Sequence, residues 1–413
     1  MRSLTEIKIE DYSYSLPDSR IAFFPADKRD HSKLLIYDKT KITEDSFLHL
    51  PKHLPSDSVL IFNNTRVIQA RILIRKATGA EVEIFCLKPI LPGTLHEQAF
   101  AASGSCVWEC FIGHNKRYKN TLSLSCDVDK EKLVFSARKL KATEEGSFLV
   151  EFSWTPSCYS FAEVLEHIGK IPLPPYIKRA VNKEDTKRYQ TVYATEKGSV
   201  AAPTAGLHFS EEVIKRLRNK QIPMEYITLH VGAGTFKPVT ESSVEKHVMH
   251  EEAIYFHKLT IENIRSLLDK RIICVGTTGV RSLESLYWLG VKLARYKKQN
   301  KAVDEDCFTL YQWEVYNELQ NNNITPSCAL QTILDYMEET HMQVFHASTF
   351  LMIVPDRYKM RMTKGIITNF HQPQSTLLLL IAVFVGDKWK EIYDYALAHD
   401  FRFLSYGDAC LFL

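Results

Sequence analysis

The segment Ile272-Ile-Cys-Val-Gly-Thr-Thr-Gly-Val-Arg-Ser-Leu-Glu-Ser-Leu-Tyr-Trp288 combines three structural signals in one short run. An apolar strand, 272–275, leads into a turn of small residues, 276–279, and apolar positions at helical spacing follow from Val280. The pattern predicts a strand, a tight turn and a helix. The free N–H groups and positive dipole at such a helix start suit a carboxylate or phosphate, and Arg281 adds a bidentate donor.

A second unit of the same architecture stands late in the chain. The strand 365–368 leads into a polar turn, 369–376, and an apolar helix follows from Leu377 to Phe384. Two such units predict an α/β fold with ligands held at the carboxyl ends of strands. The substrate-binding candidates from the two turns are Thr277, Thr278, Ser282, Asn369, Ser375 and Thr376.

The stretch 198–209, Gly-Ser-Val-Ala-Ala-Pro-Thr-Ala-Gly-Leu-His-Phe, consists mainly of small residues. Small side chains let another molecule approach the backbone closely, and Ser210 is placed to cap a helix after it. A ligand-binding loop and a tight crossing of two backbone segments explain this stretch equally well. Its candidate site residues are Ala202, Pro203, Thr204, Gly206 and His208.

Two further polar or glycine-rich turns follow predicted strands. Asn63-Asn64-Thr65-Arg66 comes directly after the apolar run 58–62, where either a ligand site or an Asn-rich turn is expected. The segment 232–236 follows the strand 226–231 but lacks the third glycine of a dinucleotide loop and the lysine of a P-loop. The candidates here are Asn63, Asn64, Thr65, Arg66, Gly232, Gly234 and Thr235.

A change in the pattern of apolar runs along the chain predicts two domains. Between residues 70 and 154, short strand-like runs separated by turn residues indicate a small all-β barrel or sandwich. Mixed patterns before and after it make this unit an insertion, so residues 1–69 and 155–413 form the α/β main domain. Within that domain, the segment 290–348 opens with several basic residues and is predicted to be a helical insertion.

The composition of the chain limits the classes of function and location that can be expected. The 413 residues carry 52 basic and 49 acidic side chains, a net charge of +3, so binding to a polyanion has to be argued from local patches. Nine cysteines without paired spacing predict buried free thiols and no metal site. The N-terminus has no secretory pattern, and the longest apolar run, 377–385, is too short for a membrane span, so a cytoplasmic protein is expected.

One basic stretch carries interleaved tyrosines. Between residues 176 and 193, lysines and arginines alternate with Tyr176, Tyr189 and Tyr193. Cations beside aromatic rings suit phosphates and exposed bases, as in RNA-binding surfaces. A solvated surface with ordinary buried tyrosines explains the same pattern.

Nine sequence motifs resemble one known family and stand in the same order along nearly the whole chain. They are Asp11 to Pro17, Asn63 to Arg66, Ile171 to Ile177, Tyr189 to Tyr193, Ala201 to Phe209, Leu229 to Phe236, Gly276 to Glu284, Thr368 to His371 and Tyr406 to Asp408. The chain thus resembles the S-adenosylmethionine:tRNA ribosyltransferase-isomerase family of queuosine biosynthesis. The resemblance implies a barrel-like α/β domain interrupted by a small β-barrel.

The resemblance also implies a reaction. The ribosyl part of S-adenosylmethionine is transferred to the aminomethyl group of 7-aminomethyl-7-deazaguanine at the wobble position of tRNA. Epoxyqueuosine forms, and adenine and methionine are released. S-adenosylmethionine is then a ribosyl-donor substrate and no cofactor is permanently bound; tRNA is the partner, and the enzyme is expected to act as a monomer.

Such chemistry needs a base for the acidified ribose C5′ hydrogen, a proton or hydrogen bonds for the leaving adenine, and a cationic clamp for the methionine carboxylate. The candidate acids and bases are His208, His230 and His371, without assignment of either role, and the candidate clamp is Arg281. Asn63, Asn64, Arg66 and Asn369 are candidates to read the deazaguanine edge or ribose hydroxyls. A structural role for each histidine remains open.

The sequence departs from the family pattern at four places. Lys33, Gln69 and Gly279 replace an arginine, a proline and a serine, and the segment 362–365 lacks the usual Val-Asp. Two alternatives therefore stay open: a non-catalytic RNA-binding relative, and a related transferase that acts on a different acceptor, including a small molecule.

Overall fold

The computed structural model of the chain describes residues 4–76, 78–94, 96–113, 115, 118, 121–128, 131–143, 146–232 and 243–413. These residues form nineteen strands and ten α-helices. The predicted site residues Gly234 and Thr235 lie outside the described ranges. Within those ranges, no helix combines the length and the hydropathy that a membrane crossing requires.

The strands are β1 (Lys33–Tyr37), β2 (Ile42–Ser46), β3 (Ser58–Asn63), β4 (Thr65–Val67), β5 (Arg71–Arg75), β6 (Glu81–Leu91), β7 (Ser105–Gly113), β8 (Thr121–Val128), β9 (Glu131–Ala142), β10 (Phe148–Thr155), β11 (Gly169–Lys170), β12 (Glu196–Ser199), β13 (Met224–His230), β14 (Glu252–His257), β15 (Arg271–Val275), β16 (Thr309–Leu310), β17 (Val344–Thr349), β18 (Gly365–Asn369) and β19 (Ala409–Phe412). The helices are α1 (Leu50–His53), α2 (His96–Phe100), α3 (Phe161–Ile168), α4 (Asp185–Arg188), α5 (Glu211–Asn219), α6 (Lys258–Ser266), α7 (Thr277–Lys298), α8 (Pro326–Glu339), α9 (Thr376–Val385) and α10 (Lys388–Ala398).

The larger sheet has ten strands in the order β16-β17-β14-β13-β3-β15-β18-β19-β1-β2. Its centre is parallel, because β13, β3, β15 and β18 run in one direction. Val275 pairs with Ile367, so β15 and β18 end side by side. The turns that follow these two strands therefore leave the sheet together, and the predicted α/β class is confirmed.

Both faces of this sheet are covered by apolar side chains. Along β3, Val59 and Ile61 belong to one apolar cluster, whereas Leu60 and Phe62 belong to another on the opposite face. Continuous burial of this kind is typical of parallel strands with helices on both sides. Helix α7 fills most of one side and is buried along most of its length.

The smaller sheet is antiparallel throughout, with seven strands in the order β11-β5-β6-β7-β10-β9-β8. It has its own apolar core, which includes Trp108, Phe135 and Phe152. Helix α3 packs into the same core through Phe161 and neighbouring residues. Two elements that follow residue 154, α3 and β11, therefore pack with this sheet.

Both predicted strand–turn–helix units are confirmed, with one change of boundary. Helix α7 begins at Thr277, so most of the predicted turn forms its first turn, and it continues to Lys298. Gly290, predicted to open an insertion, lies inside this helix, where a Cβ atom would stand 2.4 Å from the Ala329 carbonyl oxygen of α8. The glycine marks a close helix crossing, and the segment 290–348 ends in β17 of the main sheet.

The cysteines are free thiols, as predicted. Six of them are buried, but Cys158 and Cys328 are exposed and Cys126 is half-buried, so the prediction of burial is wrong for these three. Hydrophobic periodicity alone does not show which face of an edge strand is exposed, nor which residues of a loop lie at the surface.

Glu284 of α7 ties this helix to the start of β18. Its buried carboxylate accepts hydrogen bonds from the backbone N–H groups of Arg361 (2.8 Å), Met362 (2.9 Å) and Thr363 (2.9 Å), and from the Tyr358 hydroxyl (2.8 Å). A buried carboxylate is stable only with such donors. Glu284 therefore fixes the loop that feeds β18.

We expect Glu284→Gln to lower the free energy of unfolding by about 1–3 kcal/mol, because an amide nitrogen cannot accept from the backbone donors that face it. Urea unfolding followed by far-UV circular dichroism measures the change. Glu391→Gln is the control, since Glu391 makes an exposed ion pair with Lys388 on α10, and its effect should stay within about 0.5 kcal/mol. Equal unfolding midpoints for the two variants would contradict the role of Glu284.

Candidate functional site

A cleft opens at the carboxyl ends of β15 and β18 and encloses about 1400 Å³, including space open to solvent. Three segments form most of its wall: residues 201–205, residues 276–278 and residues 368–377. The carboxyl edge of parallel strands is where α/β proteins usually hold their ligands. The fold thus brings three separately predicted loops to one place.

The cleft contains about half of the residues predicted from the sequence. Those that line it are Ala202, Pro203, Thr204, Thr277, Thr278, Arg281, Asn369, His371, Ser375 and Thr376. Those that are described but do not line it are Asn63, Asn64, Thr65, Arg66, Gly206, His208, His230, Gly232 and Ser282.

Two helix N-termini stand at the cleft. Gly276, with φ 92°, makes the turn into α7 in a backbone conformation that side-chain-bearing residues rarely adopt. Ser375 caps α9 by accepting a hydrogen bond from the Leu378 N–H group (3.2 Å). Free N–H groups and two positive helix ends favour an anionic group in this part of the cleft.

Arg281 is buried between the cleft and the protein interior. Its Nη1 forms an ion pair with Oε2 of Glu252 at 2.5 Å, and its Nε donates to the Leu351 carbonyl oxygen at 3.1 Å. Burial raises the pKa of Glu252, although the charge of Arg281 acts in the opposite direction. A cation and a carboxyl group therefore line the same wall.

Among the cleft residues that the sequence predicted, three buried polar atoms have no hydrogen-bond partner within the described part of the chain. They are Nη2 of Arg281, Oγ1 of Thr278 and Oδ1 of Asn369. Buried polar atoms are nearly always paired in folded proteins, so each exception needs an explanation. A donor, a hydroxyl and an acceptor that line one cleft are explained by a polar ligand that pairs with them.

His208 is buried behind the cleft and holds Asn369. Its Nε2 lies 3.0 Å from the Asn369 amide nitrogen, and its Nδ1 lies 2.7 Å from the Ser32 hydroxyl. Because the amide nitrogen is a donor, the network assigns the proton to Nδ1. Burial, followed by the charges of Arg402 and Arg29, lowers the pKa of His208 to about 3.

His371 is the one predicted histidine that lines the cleft. Its Nε2 lies 2.9 Å from the Thr368 hydroxyl, and its backbone N–H donates to the Tyr393 hydroxyl at 3.1 Å. The Tyr14 hydroxyl donates to its carbonyl oxygen at 2.5 Å. Burial lowers the pKa of His371 to about 4, so the ring is neutral at pH 7.

His230 lies away from the cleft, at the end of β13. Its Nδ1 is 2.9 Å from the Thr65 hydroxyl, and its ring packs on Gly198, where a Cβ atom would come within 2.5 Å. The ring of His96 is 4.8 Å away. Burial, followed by the neighbouring His96, lowers the pKa of His230 to about 3.

The asparagine pair joins strands of the main sheet. The Asn63 side chain donates to the Leu229 carbonyl oxygen (3.0 Å) and accepts from the Leu229 N–H group (3.1 Å). Asn64 accepts from the Thr228 hydroxyl (2.7 Å) and donates to the Thr195 hydroxyl (3.1 Å). These amides extend the pairing of β3 with β13, whereas the neighbouring Arg66 is exposed.

The two explanations of the stretch 198–209 each hold for part of it. Residues 201–205 line the cleft, whereas Gly206 lies under Tyr193, whose hydroxyl would be 2.0 Å from an added Cβ atom. The predicted cap is also present, since Ser210 accepts from the Val213 N–H group at 3.2 Å. Ser282, by contrast, donates to the Thr278 carbonyl oxygen at 2.9 Å within α7.

Sequence reasoning missed one wall of the cleft. His247, Met249, His250 and Glu252 line it, together with Leu404 and Ser405. Tyr176 and Tyr189, from the basic stretch identified in the sequence, also line the cleft. Gln312, from the segment predicted as an insertion, fixes this wall by donating to the His247 carbonyl oxygen (2.6 Å) and accepting from the Met249 N–H group (2.9 Å). The run of titratable residues at 247–252 was the available signal.

The segment that lacks the family's Val-Asp lies far from the cleft. Residues 362–365 are at the amino end of β18, and Lys364 is exposed there, donating to the Lys270 carbonyl oxygen at 2.9 Å. The cleft is at the other end of this five-residue strand, about 13–16 Å away. This departure therefore leaves the described cleft residues untouched.

Comparison with known proteins gives one consistent result. The family described as "Queuosine biosynthesis protein" matches residues 9–412. The S-adenosylmethionine:tRNA ribosyltransferase-isomerases of Trichlorobacter lovleyi and Francisella tularensis subsp. novicida are 31% and 35% identical; each alignment covers 98% of this chain and 99% of the relative. The chain also matches a crystal structure of an S-adenosylmethionine tRNA ribosyltransferase from Thermotoga maritima, with 23% sequence identity and a TM-score of 0.45. This match covers 98% of this chain and 100% of that chain.

The neutral histidines predict a pH dependence of stability. His208, His230 and His371 have folded pKa values of about 3, 3 and 4, against about 6.5 for an unfolded chain. Between these values the unfolded state binds more protons, so stability falls as the pH decreases. The maximum slope is about 1.4 kcal/mol per pH unit for each histidine.

We expect His230→Gln to reduce this slope between pH 6.5 and pH 5, because it removes one of the buried titrating groups. Urea unfolding at several pH values measures the slope for the wild type and the variant. His257→Gln, at an exposed position before α6, serves as the control and should keep the wild-type slope. An unchanged slope in His230→Gln would refute the assignment of a neutral buried ring.

Proposed function

The chain belongs to the queuosine biosynthesis protein family, and on that premise we propose that it is an S-adenosylmethionine:tRNA ribosyltransferase-isomerase. The enzyme transfers and isomerises the ribosyl moiety of S-adenosylmethionine onto the aminomethyl group of 7-aminomethyl-7-deazaguanine in tRNA, giving epoxyqueuosine-tRNA, adenine and methionine. One observation carries the proposal for the site: the polar atoms of Arg281, Thr278 and Asn369 that have no partner among the described residues match the polar groups of this sulfonium nucleoside.

The methionine part of the substrate fits the wall formed by Arg281 and Glu252. The open Nη2 of Arg281 and the N-terminus of α7 are suited to the carboxylate. Glu252, which already pairs with Arg281, is suited to the ammonium group. A zwitterion between a buried cation and a buried carboxyl group replaces the water that both would otherwise need.

Asn369 is suited to the nucleoside part. The His208 ring and the Leu404 carbonyl oxygen (3.2 Å) both engage its amide nitrogen, which leaves Oδ1 as a fixed acceptor. The exocyclic amino group of adenine and the ribose hydroxyls are donors of the required kind. His208 is thus proposed as a positioning residue that acts through Asn369.

His371 is our candidate for the general base. The sulfonium acidifies the ribose C5′ hydrogen, so a neutral acceptor in the cleft is required. If Nε2 carries the proton and donates to the Thr368 hydroxyl (2.9 Å), Nδ1 is left as the acceptor. The low pKa keeps this ring unprotonated at pH 7, which is the form that takes up a proton.

Further parts of the proposal concern architecture and partners. We propose that residues 70–154 are an inserted small β-barrel in a barrel-like main domain of residues 1–69 and 155–413. Contacts between β5, the second strand of the smaller sheet, and β8, its last strand, support closure of the insertion. The acceptor is proposed to be the wobble nucleotide of the tRNA anticodon, with no permanently bound cofactor. Because tRNA is the proposed substrate, we propose that the protein acts in the cytoplasm. We also propose that the monomer is the active form.

We expect Arg281→Lys to raise the KM for S-adenosylmethionine roughly 10- to 150-fold, which corresponds to about 1.5–3 kcal/mol for a lost charge-assisted hydrogen bond. The KM for tRNA should stay within twofold. Arg295→Lys, a half-buried arginine on the same helix, is the control. Steady-state adenine release measures both constants, and equal KM values for the two variants would contradict the carboxylate site.

The decisive assay incubates the purified protein with S-adenosylmethionine and tRNA that carries 7-aminomethyl-7-deazaguanine. We expect adenine release together with epoxyqueuosine in the tRNA, measured by nucleoside mass spectrometry. Adenine release without modified tRNA would favour a different acceptor. Neither product, with tRNA still bound, would favour the non-catalytic RNA-binding relative.

A further inference from the structure

One aromatic side chain near the cleft is exposed in a manner that hydrophobic burial does not explain. The Phe24 side chain is 58% exposed, whereas the other phenylalanines in the described ranges are buried or half-buried. A single exposed apolar residue is common and needs no explanation by itself. The residues around Phe24, however, give its exposure a functional explanation.

The guanidinium of Arg179 lies 4.4 Å from the centroid of the Phe24 ring. Two bonds to Asp185, each 2.7 Å long, and a bond from Nε to the Phe23 carbonyl oxygen (2.8 Å) fix this guanidinium. Asp185 in turn accepts from the Tyr406 hydroxyl at 3.0 Å. One face of the Phe24 ring is therefore supported by a rigid cation, and the ring remains open to solvent.

This platform, Phe24 with Arg179, is coupled to the wall of the cleft. Tyr406, which holds Asp185, packs edge-on against Tyr189, with 5.8 Å between ring centroids. Tyr189 lines the cleft, as does Tyr176, which packs in the same apolar cluster as Phe23. The platform is therefore joined to the cleft wall through Asp185, Tyr406 and Tyr189.

The surroundings of the platform are basic. Between residues 178 and 190 there are five lysines and arginines and two acidic residues, of which Asp185 is committed to Arg179. Arg188 donates to the Asp27 carbonyl oxygen (3.0 Å) and Arg29 to the Lys187 carbonyl oxygen (2.7 Å), so this segment lies against the one that carries Phe24. The side chains of Lys183 and Lys187 are exposed there.

We propose that the open face of Phe24 stacks on an unpaired base of the tRNA next to the modified nucleotide, with Lys183 and Lys187 at the flanking phosphates. Stacking on an aromatic ring needs no particular base, and cations beside the ring follow the backbone. Unpaired loop nucleotides are the part of an RNA that offers both groups. This inference rests on the proposed tRNA substrate and adds a second contact outside the cleft.

The test measures binding of an anticodon stem-loop RNA to the full-length protein. Phe24→Ala should weaken binding roughly 5- to 150-fold, the effect of losing one base–aromatic stack. Phe24→Trp should restore it, and the fluorescence of the new indole should be quenched on binding. Leu259→Ala, which truncates a 65% exposed side chain on α6, is the matched control and should bind like the wild type.

Salt dependence separates stacking from charge. Phe24→Ala should leave the slope of log Kd against log salt unchanged, whereas Lys183→Gln and Lys187→Gln should each reduce it by about 0.7. Affinity of Phe24→Ala equal to that of the wild type would overturn the proposal. A parallel loss of S-adenosylmethionine binding in Phe24→Ala would also overturn it, because the residue would then act through the fold.

Failure of this inference is distinct from failure of the proposed function. If the wild type modifies tRNA and Phe24→Ala shows an unchanged KM for tRNA, stacking is refuted and the function stands. If the wild type releases no adenine but its RNA affinity depends on Phe24, the function is refuted and the stacking contact stands.

Discussion

The burial of helix α7 is the constraint on which the rest of the structure depends. A helix inside a protein cannot hydrate its polar side chains, so each of them requires a partner from another segment. Glu284 binds the loop before β18, Ser285 binds the Thr349 hydroxyl at the end of β17 (2.7 Å), and Lys292 pairs with Glu314 (2.8 Å). Three distant parts of the chain are thereby fixed around one helix.

In the same helix, two buried polar atoms have no hydrogen-bond partner among the residues that the structure describes, and both are in its first two turns at the cleft. These are Oγ1 of Thr278 and Nη2 of Arg281. Deeper in the helix, polar groups serve structure and are satisfied; at the cleft, they remain available to a ligand. This difference between paired and unpaired polar groups within α7 distinguishes the part of the helix that lines the cleft from the part that belongs to the core.

The three histidines show how position in the fold sets a role. Burial keeps all three rings neutral. His371 lines the cleft, whereas His208 holds Asn369 from behind it. His230, at the end of β13, packs against His96 of α2. Only the first is placed for proton transfer to a ligand in the cleft. The second holds the Asn369 amide from behind the cleft, and the third contributes to packing between the two sheets.

The sequence alone determined the two strand–turn–helix units, the all-β character of the chain after residue 70 and the family, because these depend on local periodicity, on turn chemistry and on motifs that are contiguous in the chain. It also singled out Arg281, Asn369 and His371. Only the tertiary structure decided which polar residues share the cleft. Asn63 satisfies the backbone of β13 and Glu252 faces Arg281 because strand order and register bring together residues that lie far apart in sequence. Local periodicity indicates where a strand forms but does not specify which distant strands become its neighbours.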